Sequence, residues 1–414
     1  MMQVIAQQGR LLLADGRSFS GVLSGTTPLE DHSLCGEVCL FTGMTGFLEH
    51  LTDPCSEGQI VVFTYPLIGN YGVSLKHAFS DRVWAKAVVV SELTVEYSHF
   101  EAELSLGSYL HSQQITVLSE VDTRAIARHL QQTKTMVGVI SVMDDRAFPT
   151  EQESSCLTAG KRECEPLNSA SEYDLVNLVA SAKEQQLSRL AVIDLGTGKS
   201  IAKNLEGCGF TVRLLCKSVK VNEELLAYNP DGIILSDGAG APVFDASLVD
   251  AVYNLTSHFP IFGFGLGMQL IALALGAECY KMPLGHHGNS YPVMVIGEIE
   301  VNQDAQLTLD VDDSSEEELM LEEYRSSSIS MTRQNHLYCI LETSMKRALL
   351  QVTHRELHDR TIEGFKHSSL PLWGLQFSPD NSRCSMVELR EMADFWQAVE
   401  HRAEKVRMTD AAKH

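Results

Sequence analysis

Residues 259–277 read FPIFGFGLGMQLIALALGA. The first part, Phe259 to Phe262, is a short apolar run that suits a fully buried strand. The last part, Met268 to Ala277, is apolar on every side and suits a buried helix. Between them the glycines Gly263, Gly265 and Gly267 permit a turn too tight for side chains. GFGLG is not GxGxxG, and no acidic residue follows at the spacing of a dinucleotide fingerprint. It also lacks the lysine of a phosphate-binding loop. What remains is a nucleophile elbow, in which a reactive side chain sits on a strained strand-to-helix turn at the helix N-terminus. The tip of this elbow is Gly265, which carries no side chain.

The surrounding sequence has the rhythm of an α/β sheet. RLAVIDLG (189–196), FTVRLLC (210–216) and DGIILSDGAGAP (231–242) read as strands. TGKSIAKNLEGCG (197–209), NEELLAYNP (222–230) and SLVDAVYNLTS (247–257) read as helices. Short apolar strands alternating with helices predict a doubly wound parallel sheet, with ligands beyond the strand C-termini. Both glycine turns, Gly238–Gly240 and Gly263–Gly267, fall there. Upstream, strands dominate: QGRLLLADGRSF (8–19), GEVCLFTG (36–43), QIVVFTYPLIGNYG (59–72) and WAKAVVVSELTV (84–95). A helix capped near Asp122 and a strand at TMVGVISV (135–142) follow. The expected organisation is a β-rich α+β domain over 1–148, a polar linker over 149–187 that ends in a short helix, an α/β domain over 188–400, and a tail over 401–414. Residues 303–325 form an acidic insertion, with nine acidic residues and no basic one between 304 and 323; a solvated surface segment is expected there.

The chain has 414 residues and 44% hydrophobic content, enough for two or three domains with sizeable cores. A net charge of −22 argues against a nucleic-acid surface. No apolar run reaches the length of a membrane span, and the N-terminal stretch lacks a cleavage-site pattern. The ten cysteines show no CxxC spacing, so free thiols in a cytoplasmic protein are expected. The adjacent His286 and His287 would point opposite ways in an extended loop, and no metal site is expected.

The chain resembles the small subunit of carbamoyl-phosphate synthase, the glutamine amidotransferase partner of that enzyme. The resemblance rests on residues 36–73 and 120–130 in the first domain. In the second it rests on 231–242, PIFGFGLGMQLIALALGA (260–277), KMPLGHHGNSYPV (281–293), RQNHLY (333–338) and WGLQFSPD (373–380). It implies a class I glutamine amidotransferase-like second domain. There an elbow cysteine attacks the glutamine amide, a histidine shuttles the proton, a glutamate orients the histidine, and backbone N–H groups hold the oxyanion. Ammonia then passes to a large subunit, to which ATP and Mg would belong; no cofactor is expected in this chain. Carried over by position, the nucleophile is Gly265, the base is Ser378 and the orienter is Asp380. Substrate-binding positions match at Gly238, Gly240, Leu266, Gln269 and Asn335. They are degenerate at Gly43, where a family serine falls, and at Leu337 and Tyr338. The histidine usual after the elbow's second glycine is Met268.

The expectation is a small-subunit-like protein without glutaminase activity, acting as a non-catalytic partner of a large synthetase subunit or a relative, in arginine or pyrimidine biosynthesis. One alternative is a regulatory pseudoenzyme that binds glutamine or a related metabolite. Another is a serine amidohydrolase rewired around Ser378 with His336 as base.

Overall fold

The computed structural model describes residues 7–25, 34–142, 188–216, 221–242, 246–296, 329–377 and 392–411. The expected linker helix, the acidic insertion, Ser378 and Asp380 lie outside the described residues.

The first domain closes a seven-stranded barrel in the order β1-β2-β8-β6-β4-β3-β9. Its strands are β1 (Gln7–Leu13), β2 (Ser18–Gly25), β3 (Leu34–Phe41), β4 (Gln59–Phe63), β6 (Ala87–Val89), β8 (Thr116–Ser119) and β9 (Val137–Val142). The short β5 (Leu67–Ile68) and β7 (Glu92–Leu93) pair with each other. Every residue of β4, QIVVF, is buried. Alternate side chains serve two cores: Ile60 and Val62 pack with Leu11, Leu40 and Val89, whereas Val61 and Phe63 pack with Phe41, Phe47 and Leu110. The helix Thr123–Thr133 begins as expected, with the Asp122 carboxylate accepting from the Ala125 N–H at 2.9 Å.

The second domain is one nine-stranded sheet in the order β11-β10-β12-β13-β18-β17-β16-β14-β15. Strands β10 (Arg189–Asp194), β11 (Thr211–Cys216), β12 (Gly232–Leu235), β13 (Ile261–Phe264) and β18 (Leu372–Leu375) are parallel. Helices cover both faces. Leu190, Val192, Ile234, Phe262 and Phe264 pack on the helices Gly198–Gly207 and Ala393–Ala411, while Ala191, Ile193, Ile233 and Leu235 face Leu225, Leu248, Val252 and Ile271. The period of two along each strand therefore serves two separate cores, as a doubly wound sheet requires. The last helix runs through residue 400, where a tail was expected to begin.

Beyond β18 the sheet turns antiparallel through β17 (Ile362–His367), β16 (Leu350–Glu356), β14 (Cys279–Val295) and β15 (Ile329–Ile340). The stretch around His286–His287, expected to be a loop, belongs to β14. Register shifts between Lys281 and His286 and between Gly288 and Tyr291 interrupt its pairing. Gly285 and Pro292, read locally, suggest a loop; pairing with β15, distant in sequence, makes the stretch a strand.

Candidate active site

The elbow forms as the sequence predicts. Strand β13 ends at Phe264, and the helix Leu266–Ala274 starts immediately after Gly265. Gly265 has φ 48° and ψ −111°, a conformation that favours glycine. A Cβ on Gly263 would lie 2.6 Å from the Met268 nitrogen, so helix and strand approach too closely for any side chain there. The turn is thus held by backbone packing and does not depend on a reactive group.

The space above Gly265 is filled. A Cβ built on Gly265 would fall 2.0 Å from Oδ1 of Asp237, which stands at the end of β12. That oxygen accepts two backbone hydrogen bonds, from the Leu266 N–H at 2.9 Å and the Gly238 N–H at 2.8 Å. One donor follows the elbow tip and the other comes from a neighbouring glycine turn, which is how an oxyanion hole is built. A carboxylate of the chain itself occupies the donors. Burial raises the Asp237 pKa; the Leu266 N–H opposes this, the Asp53 charge adds to it, and the carboxyl stands at about 6.

A cavity of about 130 Å³ opens beside the elbow, between the two domains. That is small beside the ~300 Å³ lower end of typical ligand pockets. Gly238, Gly240, Leu266, Gln269, Asn335, Leu337 and Tyr338 all line it, so the structure brings together the expected binding positions of the second domain. Gly43 does not line it; a Cβ there would meet the Phe41 ring at 2.8 Å. The barrel instead contributes Cys55 and Gln59.

The two retained amides are engaged internally. Gln269 Nε2 donates to the Tyr338 carbonyl at 2.8 Å and to Gln376 Oε1 at 2.9 Å. Asn335 Nδ2 donates to Asp53 Oδ2 at 3.2 Å and Ser56 Oγ at 3.0 Å, and its Oδ1 accepts from His287 Nδ1 at 2.9 Å. Asp53 is nearly fully buried; it also receives the Cys55 N–H at 2.9 Å and Arg333 Nη1 at 2.9 Å. The Arg333 guanidinium lies 3.8 Å over the Phe79 ring. These contacts tie the barrel to β15.

Neither thiol on the cavity wall replaces the missing nucleophile. Burial, then the charges of Asp237 and Asp53, push the Cys55 pKa well up. Burial, with Glu37 nearby, does the same to Cys39. Both stay protonated and unreactive at neutral pH. Burial also holds His287 neutral, at about 4, and keeps His50 well below its ordinary value.

Both domains match known protein families. The family described as carbamoyl-phosphate synthase small chain, CPSase domain, matches residues 11–140. The class-I glutamine amidotransferase family matches residues 191–385. The chain belongs to the carbamoyl-phosphate synthase small-chain family. It is 35% identical over 379 residues to the carbamoyl phosphate synthase arginine-specific small chain of Bacillus subtilis, covering 90% of this chain and 92% of that one. It is 36% identical over 376 residues to the carbamoyl phosphate synthase small chain of Symbiobacterium thermophilum, covering 89% and 92%. Among solved structures, a Trypanosoma brucei CTPS glutaminase domain with bound acivicin is 19% identical, covering 53% of this chain and 94% of that one at a TM-score of 0.36. No helix among the described residues is long and apolar enough to cross a membrane.

Sequence reasoning missed Asp237, Asp53, Cys55 and Arg333. Asp237 left a signal: it is the charged residue between an apolar strand and a glycine turn, where ligands of such sheets are held. Asp53 and Arg333 left none, because their importance comes from contacts made across about 280 residues of sequence, and Cys55 left none because only the fold brings it to the cavity.

Proposed function

We propose that this chain is a small-chain homologue that does not hydrolyse glutamine and serves as the non-catalytic partner of a large synthetase subunit or a relative of one. The observation that carries this reading is Asp237. The elbow tip is glycine, and the two N–H groups that would hold a substrate oxyanion already hold a carboxylate. A glutamine carbonyl entering there would have to displace an internal anion bound by two donors.

The polar connection between the domains supports the partner role. Asp53, Asn335 and Arg333 keep the barrel seated on β15 although the elbow has no nucleophile. Sensing of glutamine is less well supported, because Gln269 and Asn335 direct their amides at the chain itself. A serine hydrolase is also less well supported. Its proposed base, His336, has Nδ1 2.9 Å from the Tyr338 carbonyl oxygen and Nε2 3.8 Å from Glu363, and burial holds its pKa well below the ordinary value.

Reconstitution tests the proposal. The chain is co-expressed with candidate large subunits, and carbamoyl phosphate formation is measured with glutamine and with ammonium. Co-purification with ammonium-dependent activity alone is the expected result. Glutamine-dependent synthesis, or a chain that never associates with a large subunit, would overturn it.

A further inference from the structure

Behind the cavity wall, β14, β15 and β17 bring three buried side chains to one point. His286 Nδ1 lies 3.7 Å from Glu363 Oε1, and His336 Nε2 lies 3.8 Å from the same oxygen. The three ligand atoms all lie within 4.8 Å of one another. Glu363 is fully buried, and His286 and His336 are more than nine-tenths buried. Both imidazole nitrogens are enclosed and have no hydrogen-bond partner.

These separations are too long for hydrogen bonds. They are close to the spacing of two ligands on one ion: N and O donors at ~2.1 Å in a tetrahedral set lie about 3.4 Å apart. The atoms facing away from the point are all held. His286 Nε2 meets Asp359 Oδ2 at 2.9 Å, and His336 Nδ1 meets the Tyr338 carbonyl oxygen at 2.9 Å. Glu363 Oε2 accepts from Gln334 Nε2 at 2.8 Å. A carboxylate or carbonyl behind each histidine, and a donor behind the carboxylate, is how ligands are oriented toward a metal.

We propose that His286, His336 and Glu363 form a binding site for one divalent transition-metal ion of the zinc class. Two histidines and one carboxylate suit that class. The ion would pin β14, β15 and β17 together behind the cavity, with a water in the remaining position. The site is separate from the elbow, so it stands or falls independently of the proposed partner role.

The test uses the full-length chain without a histidine tag, stripped with chelator and dialysed. Zinc is titrated and counted by elemental analysis. Cobalt(II) is added to a second sample and followed by visible absorption. We expect one equivalent of zinc per chain, a cobalt spectrum of low-symmetry coordination, and a higher melting temperature with metal. His336→Asn and Glu363→Gln should weaken zinc binding at least about 100-fold, and Asp359→Asn, which changes the group behind His286 and also an acceptor of Thr361, about 10-fold. Retention of less than one-tenth of an equivalent by folded wild-type chain, with no cobalt spectrum, would overturn the proposal. So would zinc binding of unchanged affinity in folded His336→Asn and Glu363→Gln, because the ion would then sit elsewhere.

Discussion

At the elbow beside the cavity, Gly263–Gly267 and Gly238, shape is held by backbone; where the barrel meets β15, at Asp53, Arg333, Asn335 and His287, it is held by side chains. The elbow keeps its geometry because Gly263 and Gly267 pack directly on neighbouring backbone, with a Cβ on Gly267 falling 2.5 Å from the Leu235 carbonyl. Such packing does not depend on what side chain the elbow tip carries. The contact between the barrel and β15 is held differently. Its shape depends on one buried carboxylate, Asp53, receiving three donors from two domains. A shape built from backbone packing depends on no single side chain, whereas one built from paired polar side chains stands only while each partner remains.

The sharpest attempt to break this contrast is to return chemistry to the elbow. In glutamine hydrolysis assays, wild-type chain should run at least about 10⁴-fold below a family member with an intact catalytic set. Gly265→Cys alone should leave that gap in place, because the new side chain would meet the Asp237 carboxylate. Hydrolysis by Gly265→Cys within about 10-fold of an active relative would show that Asp237 is no obstacle. Where the barrel meets β15, Asp53→Ala should lower unfolding free energy by about 3 kcal/mol in denaturant titration, since it strands Arg333 and two further donors. A change below about 0.5 kcal/mol would mean that this contact, too, is held by backbone.

The doubly wound half of the second domain was legible in the sequence because its signals are local. The strands at Leu190–Ile193, Gly232–Leu235 and Ile261–Phe264 are apolar runs stopped by glycine or proline, and each buries both faces. The vacancy at Gly265 was legible for the same reason. The walls of the cavity were less so. Gly43 looked like a pocket position and packs against Phe41 instead, whereas Cys55, twelve residues on, reaches the cavity. The difference is set by how the barrel curves, which no short window records. The same holds for His286, His336 and Glu363: β14 and β15 pair across about 50 residues, and only the sheet brings them beside the local hairpin that carries Glu363. Adjacent histidines in extended backbone do point opposite ways, as expected: His286 turns to Asp359 and His287 to Asn335.

A double-mutant cycle measures whether Asp237 fills the missing side chain's place. Gly265→Ala should cost ~2 kcal/mol, about half from a conformation unfavourable to alanine and half from collision with the carboxylate. In an Asp237→Gly background the collision is gone, so the same substitution should cost ~1 kcal/mol. The coupling of ~1 kcal/mol is the measured quantity; strict additivity would place Asp237 elsewhere in solution.

The smallest expected effect depends on pH. The Asp237 carboxyl has a folded pKa of about 6 against an ordinary 3.8. Between those values the folded chain holds a proton that the unfolded chain has lost, so stability falls as pH rises through the window. The full difference would be worth ~3 kcal/mol. Water in the adjoining cavity screens a partly buried carboxylate, and about 1–2 kcal/mol is the realistic size. Asp237→Asn keeps an acceptor for Leu266 and Gly238 and removes the charge. The variant should therefore match wild type near pH 4 and exceed it by that amount at pH 7, with the gap opening between the two. A gap of the same size at both pH values would mean that the carboxylate titrates normally, and that its two N–H donors fully compensate for leaving water. In that case the elbow would be an anion site well suited to its occupant, and the wall held by backbone would retain a measurable electrostatic preference.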